Sequence, residues 1–282
     1  MASEQDRTYC ADLVRAQDRD RYLACLFAPS ARRPALMALY AFNVELARTA
    51  EAVSEPLIGE IRLQWWRDAL PAIVGGTPPQ QPVAAALAAA LVQAPIAAAR
   101  LEKLIDARAL DLSGEPPANL ADLERYAEAT AGALALLALE LLGAKDEAAR
   151  AAARALALAW ALTGLLRAVP FHAAQRRLYL PADLSRSAGL LAGPLFELQS
   201  SDALRDVARH VAEAARRHLA HYRVLRHHTG KAAKPVLLPA VLCRRYLSTL
   251  ATAGHDPFAA AVQAPRPGNV WRLAWAATTG RY

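Results

Sequence analysis

Apolar residues recur at three- and four-residue spacing along nearly the whole chain, while the alternating β-branched runs and Asn-Gly turns that announce hairpins are missing. The pattern predicts an all-α fold. One helix starts at Pro34, a residue suited to a first turn, runs through Ala35, Leu36, Leu39, Phe42 and Leu46, and is expected to stop near Glu55 and Pro56. A second begins at Leu57 and carries Ile61, Trp65 and Leu70 along one side as far as the breaker Gly75-Gly76-Thr77-Pro78-Pro79. Of the adjacent Trp65 and Trp66, one is expected to be buried and the other half-exposed.

Further helices are expected over residues 83–92, 97–112, 120–142 and 146–169, punctuated by Pro95, Pro116-Pro117 and Gly143. Residues 176–193 read as irregular, 202–228 as a helix bearing many basic residues, and 241–250 as a last helix. A Pro/Gly-containing tail with Trp271, Trp275 and Tyr282 follows. No internal repeat or long linker divides the chain, so residues 1–282 read as one domain, with a core of about 10–250 and a tail of 251–282.

The 282 residues are 55% hydrophobic, a figure inflated by alanine and ample for a sizeable core. No stretch reaches the ~18 uncharged apolar residues of a membrane span: residues 132–143 include Glu140, and the run after Arg154 meets Arg167. Residues 1–20 mix acids and arginines, which suits neither a secretory signal nor a transit peptide, so a cytoplasmic protein is expected. Cys10, Cys25 and Cys243 lie far apart without metal-ligand spacing and read as reduced thiols. A net charge of +7 suits an anionic partner such as a diphosphate or a membrane surface. Arginine is spread along the chain and no RNA or DNA motif appears, so nucleic acid is not expected as a partner.

Four blocks carry a resemblance. Ala38-Leu-Tyr-Ala-Phe-Asn-Val-Glu45, Ile61-Arg-Leu-Gln-Trp-Trp-Arg67, Leu123-Glu-Arg-Tyr126-Ala-Glu-Ala-Thr-Ala131-Gly132, and Leu165-Leu-Arg167 with Arg177-Leu-Tyr179-Leu-Pro181 resemble, in order, the squalene/phytoene synthase family. The resemblance implies an isoprenoid synthase bundle with a central apolar cavity. It also implies an enzyme class that joins two prenyl diphosphates, with paired aspartate motifs holding Mg²⁺ against the departing diphosphate. Magnesium prefers hard oxygen ligands, and a four-residue spacing places both carboxylates on one helical face.

Aligned on Ala41-Phe42 and on Tyr179-Leu-Pro181, the four motif aspartates fall on Ala47, Glu51, Ala168 and His172. Only Glu51 is a carboxylate, Arg48 stands beside it, and the His172 imidazole is a poor magnesium ligand. Each opposite-charge contact at an effective dielectric near 20 is worth about 4 kcal/mol, so the losses predict that Mg²⁺-dependent ionisation has gone. No metal or other cofactor is expected, except Mg²⁺ if the chain is after all an active prenyltransferase of terpenoid biosynthesis. Arg48, Arg167, Arg176 and Arg177 remain as guanidiniums for a diphosphate, with Tyr179 packing beneath their loop. For Arg167 and Arg177, ligand contact and plain salt-bridging both stay open.

A narrower likeness lies in Ala41-Phe-Asn-Val-Glu-Leu-Ala47 through Val53-Ser-Glu55, in Arg167-Ala-Val-Pro170-Phe-His172, and in Leu178-Tyr-Leu-Pro-Ala-Asp183. These are similar to the branch of the mitochondrial complex I assembly factor 6, which also has degenerate aspartate motifs. That branch implies respiratory complex I subunits or assembly intermediates as partners and a peripheral place at the inner face of the membrane. A prenyl or lipid ligand is a further expectation, and a membrane-peripheral isoprenoid or lipid carrier a third reading.

Simpler roles compete at single positions. Glu51 is expected in a ladder with Glu45, Arg48 and Glu55, and His172 as a cationic side chain at a helix end. The helix with Arg205, Arg209, Arg216, Arg217, His218, Arg223 and Arg226 offers Val207, Val211, Leu219, Tyr222 and Leu225 as an apolar side. It is the membrane-surface candidate, although a solvated outer face of a core helix is the favoured reading.

Overall fold

A computed structural model describes residues 2–53 and 55–282. In chain order the helices are α1 (Glu4–Gln17), α2 (Arg19–Cys25), α3 (Arg33–Ala47), α4 (Pro56–Val74), α5 (Pro82–Gln93), α6 (Ala98–Ala109), α7 (Leu120–Ala127), α8 (Ala133–Leu142) and α9 (Glu147–Arg167). Then follow α10 (Val169–Ala174), α11 (Ala182–Ser187), α12 (Ala192–Phe196), α13 (Asp202–Leu225), α14 (Lys234–Leu237), α15 (Ala240–Thr252), α16 (Ala260–Gln263) and α17 (Asn269–Thr279). Among the described residues there is no strand, as the periodicity predicts.

Local chemistry sets most boundaries. Ser3 caps α1 through the Asp6 amide, and Asp6 returns a bond to the Ser3 amide, a capping box. Asn119, Asp146 and Ser201 cap α7, α9 and α13, each side chain accepting from the backbone amide three residues on. Gly143, at φ +74°, ends α8 in the left-handed conformation that glycine adopts without a Cβ penalty.

Helix α9 is the hub. It is long and apolar enough to cross a membrane by length and composition, yet it runs alongside α13 and also meets α7, α8 and α15. One apolar cluster, containing residues from Cys10 to Val262, joins these helices with α3 and α5. The buried side of α13 is Val207, Val211, Leu219 and Tyr222, the apolar side that the sequence offers to a membrane. It is occupied by the bundle, so α13 has no such face to give.

Three other expectations need correction. Helix α3 stops at Ala47 and not near Glu55, because residues 48–52 form successive turns in which the Thr49 hydroxyl donates to the Glu45 carbonyl. Off the helix, the ladder of Glu45, Arg48, Glu51 and Glu55 does not form; Arg48 and Glu51 alone approach, at 4.0 Å. On α4 the buried side is Gly59, Leu63, Trp66, Leu70 and Ile73, while Ile61 is 60% exposed. Trp66 is the buried indole, edge-on to Phe42 at 4.9 Å, and Trp65 is half-exposed.

The stretch 120–142 is not one regular helix either: Glu128–Gly132 form a π-helical turn between α7 and α8. There the Thr130 hydroxyl donates to the Tyr126 carbonyl at 2.7 Å, and such wide turns frequently accompany functional positions. Residues 251–282, read as a tail, carry α16 and α17. Leu273, Ala276 and Ala277 of α17 form a second apolar cluster with Ala24 of α2 and Val241, Leu242 and Tyr246 of α15.

Candidate functional site

The four motif positions sit at helix ends. Ala47 closes α3 and Glu51 lies in the following turn; Ala168 lies at the break between α9 and α10, and His172 lies on α10, which Pro170 opens. Arg176, at φ +56°, ends α10 in the left-handed region, and the Arg177 amide returns to the His172 carbonyl. This reversal carries Arg177 back to the turns after α3, where its guanidinium donates to the Ala50 carbonyl. The two motif segments are therefore tied together by Arg177 through backbone.

Between them stands Asp111, a buried carboxylate that the sequence reading passed over. Its Oδ1 accepts from the Tyr126 hydroxyl at 2.7 Å and the Tyr179 hydroxyl at 3.1 Å, while Arg108 donates to its Oδ2 at 3.3 Å. Arg108 also donates to the Tyr126 oxygen at 2.9 Å and to Asn43 Oδ1 of α3 at 3.4 Å. Burial alone would lower the Arg108 pKa, but Tyr126 and Asp111 outweigh it and raise it. Burial raises both tyrosines, with Asp111 adding to the rise.

His172 completes the network, its ring 4.5 Å from that of Tyr179. Burial pushes its pKa down to about 4, Asp111 opposing and Arg177 adding to the fall. The ring is thus neutral near pH 7, and the expected cationic helix end is overturned by desolvation. Burial also raises Glu51, against the pull of Arg48 and Arg177.

This donor set does not fit a magnesium cluster. Asp111 has both oxygens engaged, Glu51 lies between two guanidiniums, and His172 is a buried imidazole. Among the described residues no three His, Cys, Asp or Glu converge as a metal centre. What the arrangement does is lock Asn43, Arg108, Tyr126 and Tyr179 around one carboxylate.

The expected arginines do not gather. Arg177 and Tyr179 belong to this network, Arg48 lies at its exposed edge, and the Arg176 guanidinium lies 5.8 Å over Phe196, away from it. Arg167 faces a separate polar cavity of about 400 Å³, walled by Asp18, Arg19, Arg21, Trp160, Tyr246 and Arg266 among others. Its guanidinium lies 3.7 Å from the Tyr246 ring centroid, and that of Arg266 at 5.7 Å.

The acids of this cavity are already used. Asp18 pairs with Arg21 at 2.5 Å, and Asp20 accepts from the Tyr246 hydroxyl at 2.5 Å and from Asn269 at 3.0 Å. Neither Arg167 nor Arg266 meets a carboxylate among the described residues, and the Nε of each is buried without a partner. Burial and then Arg245 lower the Arg266 pKa. Two guanidiniums beside one aromatic ring can take an anion. Arg266 and Tyr246 went unnoticed in the sequence because neither sits in a block with recognisable spacing.

A cavity of about 440 Å³ with largely apolar walls, Leu110, Pro116, Leu123, Tyr126 and Tyr179 among them, lies against Asp111, whereas the apolar space beside the polar cavity is small. A space of about 30 Å³, lined by Tyr40, Ala131, Leu134, Ala153, Leu156 and Trp160, shares Arg21 and Trp160 with the polar cavity. That is room for one or two water molecules.

Comparisons with known proteins agree with this architecture. The bovine (Bos taurus) NADH dehydrogenase (ubiquinone) complex I, assembly factor 6 is 36% identical over 262 residues, which cover 93% of this chain and 78% of the relative. Phytoene synthase 1, chloroplastic, from Arabidopsis thaliana is 29% identical over 216 residues, covering 73% of this chain and 50% of the relative. The crystal structure of a dehydrosqualene synthase in complex with ligand superposes with a TM-score of 0.84 at 21% identity, covering 99% of this chain and 97% of that one. Residues 14–276 match the Squalene/phytoene synthase family, and with nearly the whole helical bundle inside that match, the chain belongs to it.

Proposed function

We propose that this chain is a non-catalytic member of the family that assists the assembly of respiratory complex I, working on the cytoplasmic side of the membrane and needing no cofactor. The observation that carries the reading is Asp111: the space between the motif positions is filled by a carboxylate whose oxygens are all engaged by Arg108, Tyr126 and Tyr179. Glu51, the one motif carboxylate left, is flanked by Arg48 and Arg177. Charges that would attract divalent cations are compensated internally. The relatives named for complex I assembly factor 6 supply the biological direction.

Deletion of the gene in its host tests the reading. Assembled complex I, followed by native gel and NADH oxidation in membranes, is expected to fall and to return with the wild-type gene; normal levels in the deletion strain end the assembly reading. The purified chain with farnesyl or geranylgeranyl diphosphate and Mg²⁺ is expected to release no pyrophosphate. Turnover matching an authentic synthase would overturn the non-catalytic part.

The cavity at Arg167 supports a second reading, retention of an anionic prenyl ligand. Arg167 and Arg266 would take the diphosphate, and the alanine-lined wall would have to open for the tail, since about 30 Å³ accommodates no prenyl chain. Calorimetric titration with farnesyl diphosphate, in wild type and Arg167→Met, decides it: no heat in the wild type ends it.

A further inference from the structure

Helix α17 leaves two tryptophans in the open. Trp271 and Trp275, one turn apart, are 77% and 66% exposed, while Leu273, Ala276 and Ala277 on the other side pack inward. Exposed indoles this large serve no core. At the C-terminal end of α17 lies a cavity of about 350 Å³ whose walls include Arg223, Arg226, Arg244 and Arg281 together with Leu219, Tyr222 and Val241. Among the described residues no carboxylate side chain lines it; Arg226 donates to the Tyr282 carbonyl.

The cause is written in the sequence. Residues 214–282 contain one acidic residue, Asp256, against eleven Arg and Lys, whereas residues 1–213 contain 25 acids against 22 bases. Positive charge is spread along the chain, but negative charge is not. None of those eleven cations pairs with an Asp or Glu side chain among the described residues. The net charge of the molecule thus arises in its last quarter.

Tryptophan favours the boundary between apolar and wet surroundings, and uncompensated arginine favours the phosphates of an anionic leaflet. Helix α13, with its apolar side buried, cannot supply the first of these. We propose that α17 and the arginine-lined cavity at its end form a docking face for an anionic lipid surface. Trp271 and Trp275 enter the headgroup layer, while Arg223, Arg244, Arg272 and Arg281 meet lipid phosphates. Charge complementarity selects this occupant, and the inference stands apart from the assembly reading.

Co-sedimentation of the full chain with vesicles of phosphatidylcholine, alone or mixed with phosphatidylglycerol, tests it. Binding is expected to the mixed vesicles alone and to weaken with rising salt. The double variant Trp271→Ser/Trp275→Ser is expected to lose it, and each of Arg223→Gln, Arg244→Gln and Arg281→Gln to lower the partition coefficient about fivefold. All five side chains are exposed, so thermal melts should stay at the wild-type value. Ile61→Ser, on the exposed side of α4, should bind like wild type. The proposal falls if neutral vesicles bind equally, if neither kind binds, if the tryptophan variant still binds, or if Ile61→Ser loses binding as well. It falls too if inorganic phosphate displaces the protein where chloride at equal ionic strength does not, for the cavity would then be a free-phosphate site.

Discussion

Asp111 and Arg167 both lie in enclosed polar surroundings, but their charges are handled in opposite ways. Asp111 receives hydrogen bonds from Arg108, Tyr126 and Tyr179, drawn from three stretches of chain, and with both oxygens engaged it offers no free charge to the cavity of about 440 Å³ that it lines with Tyr126 and Tyr179. Arg167 rests on a tyrosine ring, meets no acid among the described residues, and opens on about 400 Å³. A compensated charge is a structural element, whereas an uncompensated one beside free volume is available to a ligand. On the proposed reading the motif face serves as structure, and the arginine side is where a ligand would bind.

The sharpest way to break this comparison is Asp111→Ala. Removing the carboxylate strands the buried Arg108 charge and two tyrosine hydroxyls, so a loss of about 3–5 kcal/mol is expected in urea or thermal unfolding. A loss within the range of an ordinary surface change would mean that the network is not holding the motif segments together.

His172 gives the next effect. Its folded pKa of about 4 lies below the unfolded 6.5, so below pH 6.5 the unfolded chain gains a proton that the folded one lacks. Stability therefore declines as the pH drops through that window, approaching a full loss of about 3 kcal/mol below the folded pKa. His172→Gln should flatten that part of the stability profile relative to wild type, as read from denaturation midpoints across the window. An unchanged slope would show the ring to be solvated.

Arg167→Met is expected to have the smallest effect on stability, about 1 kcal/mol from the lost stacking on Tyr246. Affinity for inorganic pyrophosphate, measured by calorimetry, should fall roughly tenfold with the charge-assisted hydrogen bond. If stability falls as far as in Asp111→Ala while affinity stays, the two regions are alike after all.

The all-α architecture was legible because a helix burying one side prints a 3.6-residue period on its sequence, as α9 and α13 do. Helices α1 and α17 escaped notice for the same reason in reverse: α1 buries only Cys10 and Val14, and α17 turns its largest apolar residues outward. On α4 the period was visible but its phase was not, since Ile61 and Leu63 are equally apolar and only Leu63 is inside. The vacated motif positions could be read by spacing. Asp111 could not, because a carboxylate between two short helices has no periodic signature until Tyr126 and Tyr179 arrive from elsewhere in the chain. Likewise the acid-poor C-terminal quarter is hidden by counting arginines and emerges only when acids are counted as well.

The wide turn at Glu128–Gly132 matters to anyone redesigning this bundle. It inserts about one residue, roughly 100° of rotation, into what otherwise resembles a continuous rod. Heptad positions counted forward from Tyr126 therefore arrive at α8 out of phase, and a designed core face would come out turned toward solvent. The two halves of that rod have separate bookkeeping for inside and outside, and each must be patterned from its own end.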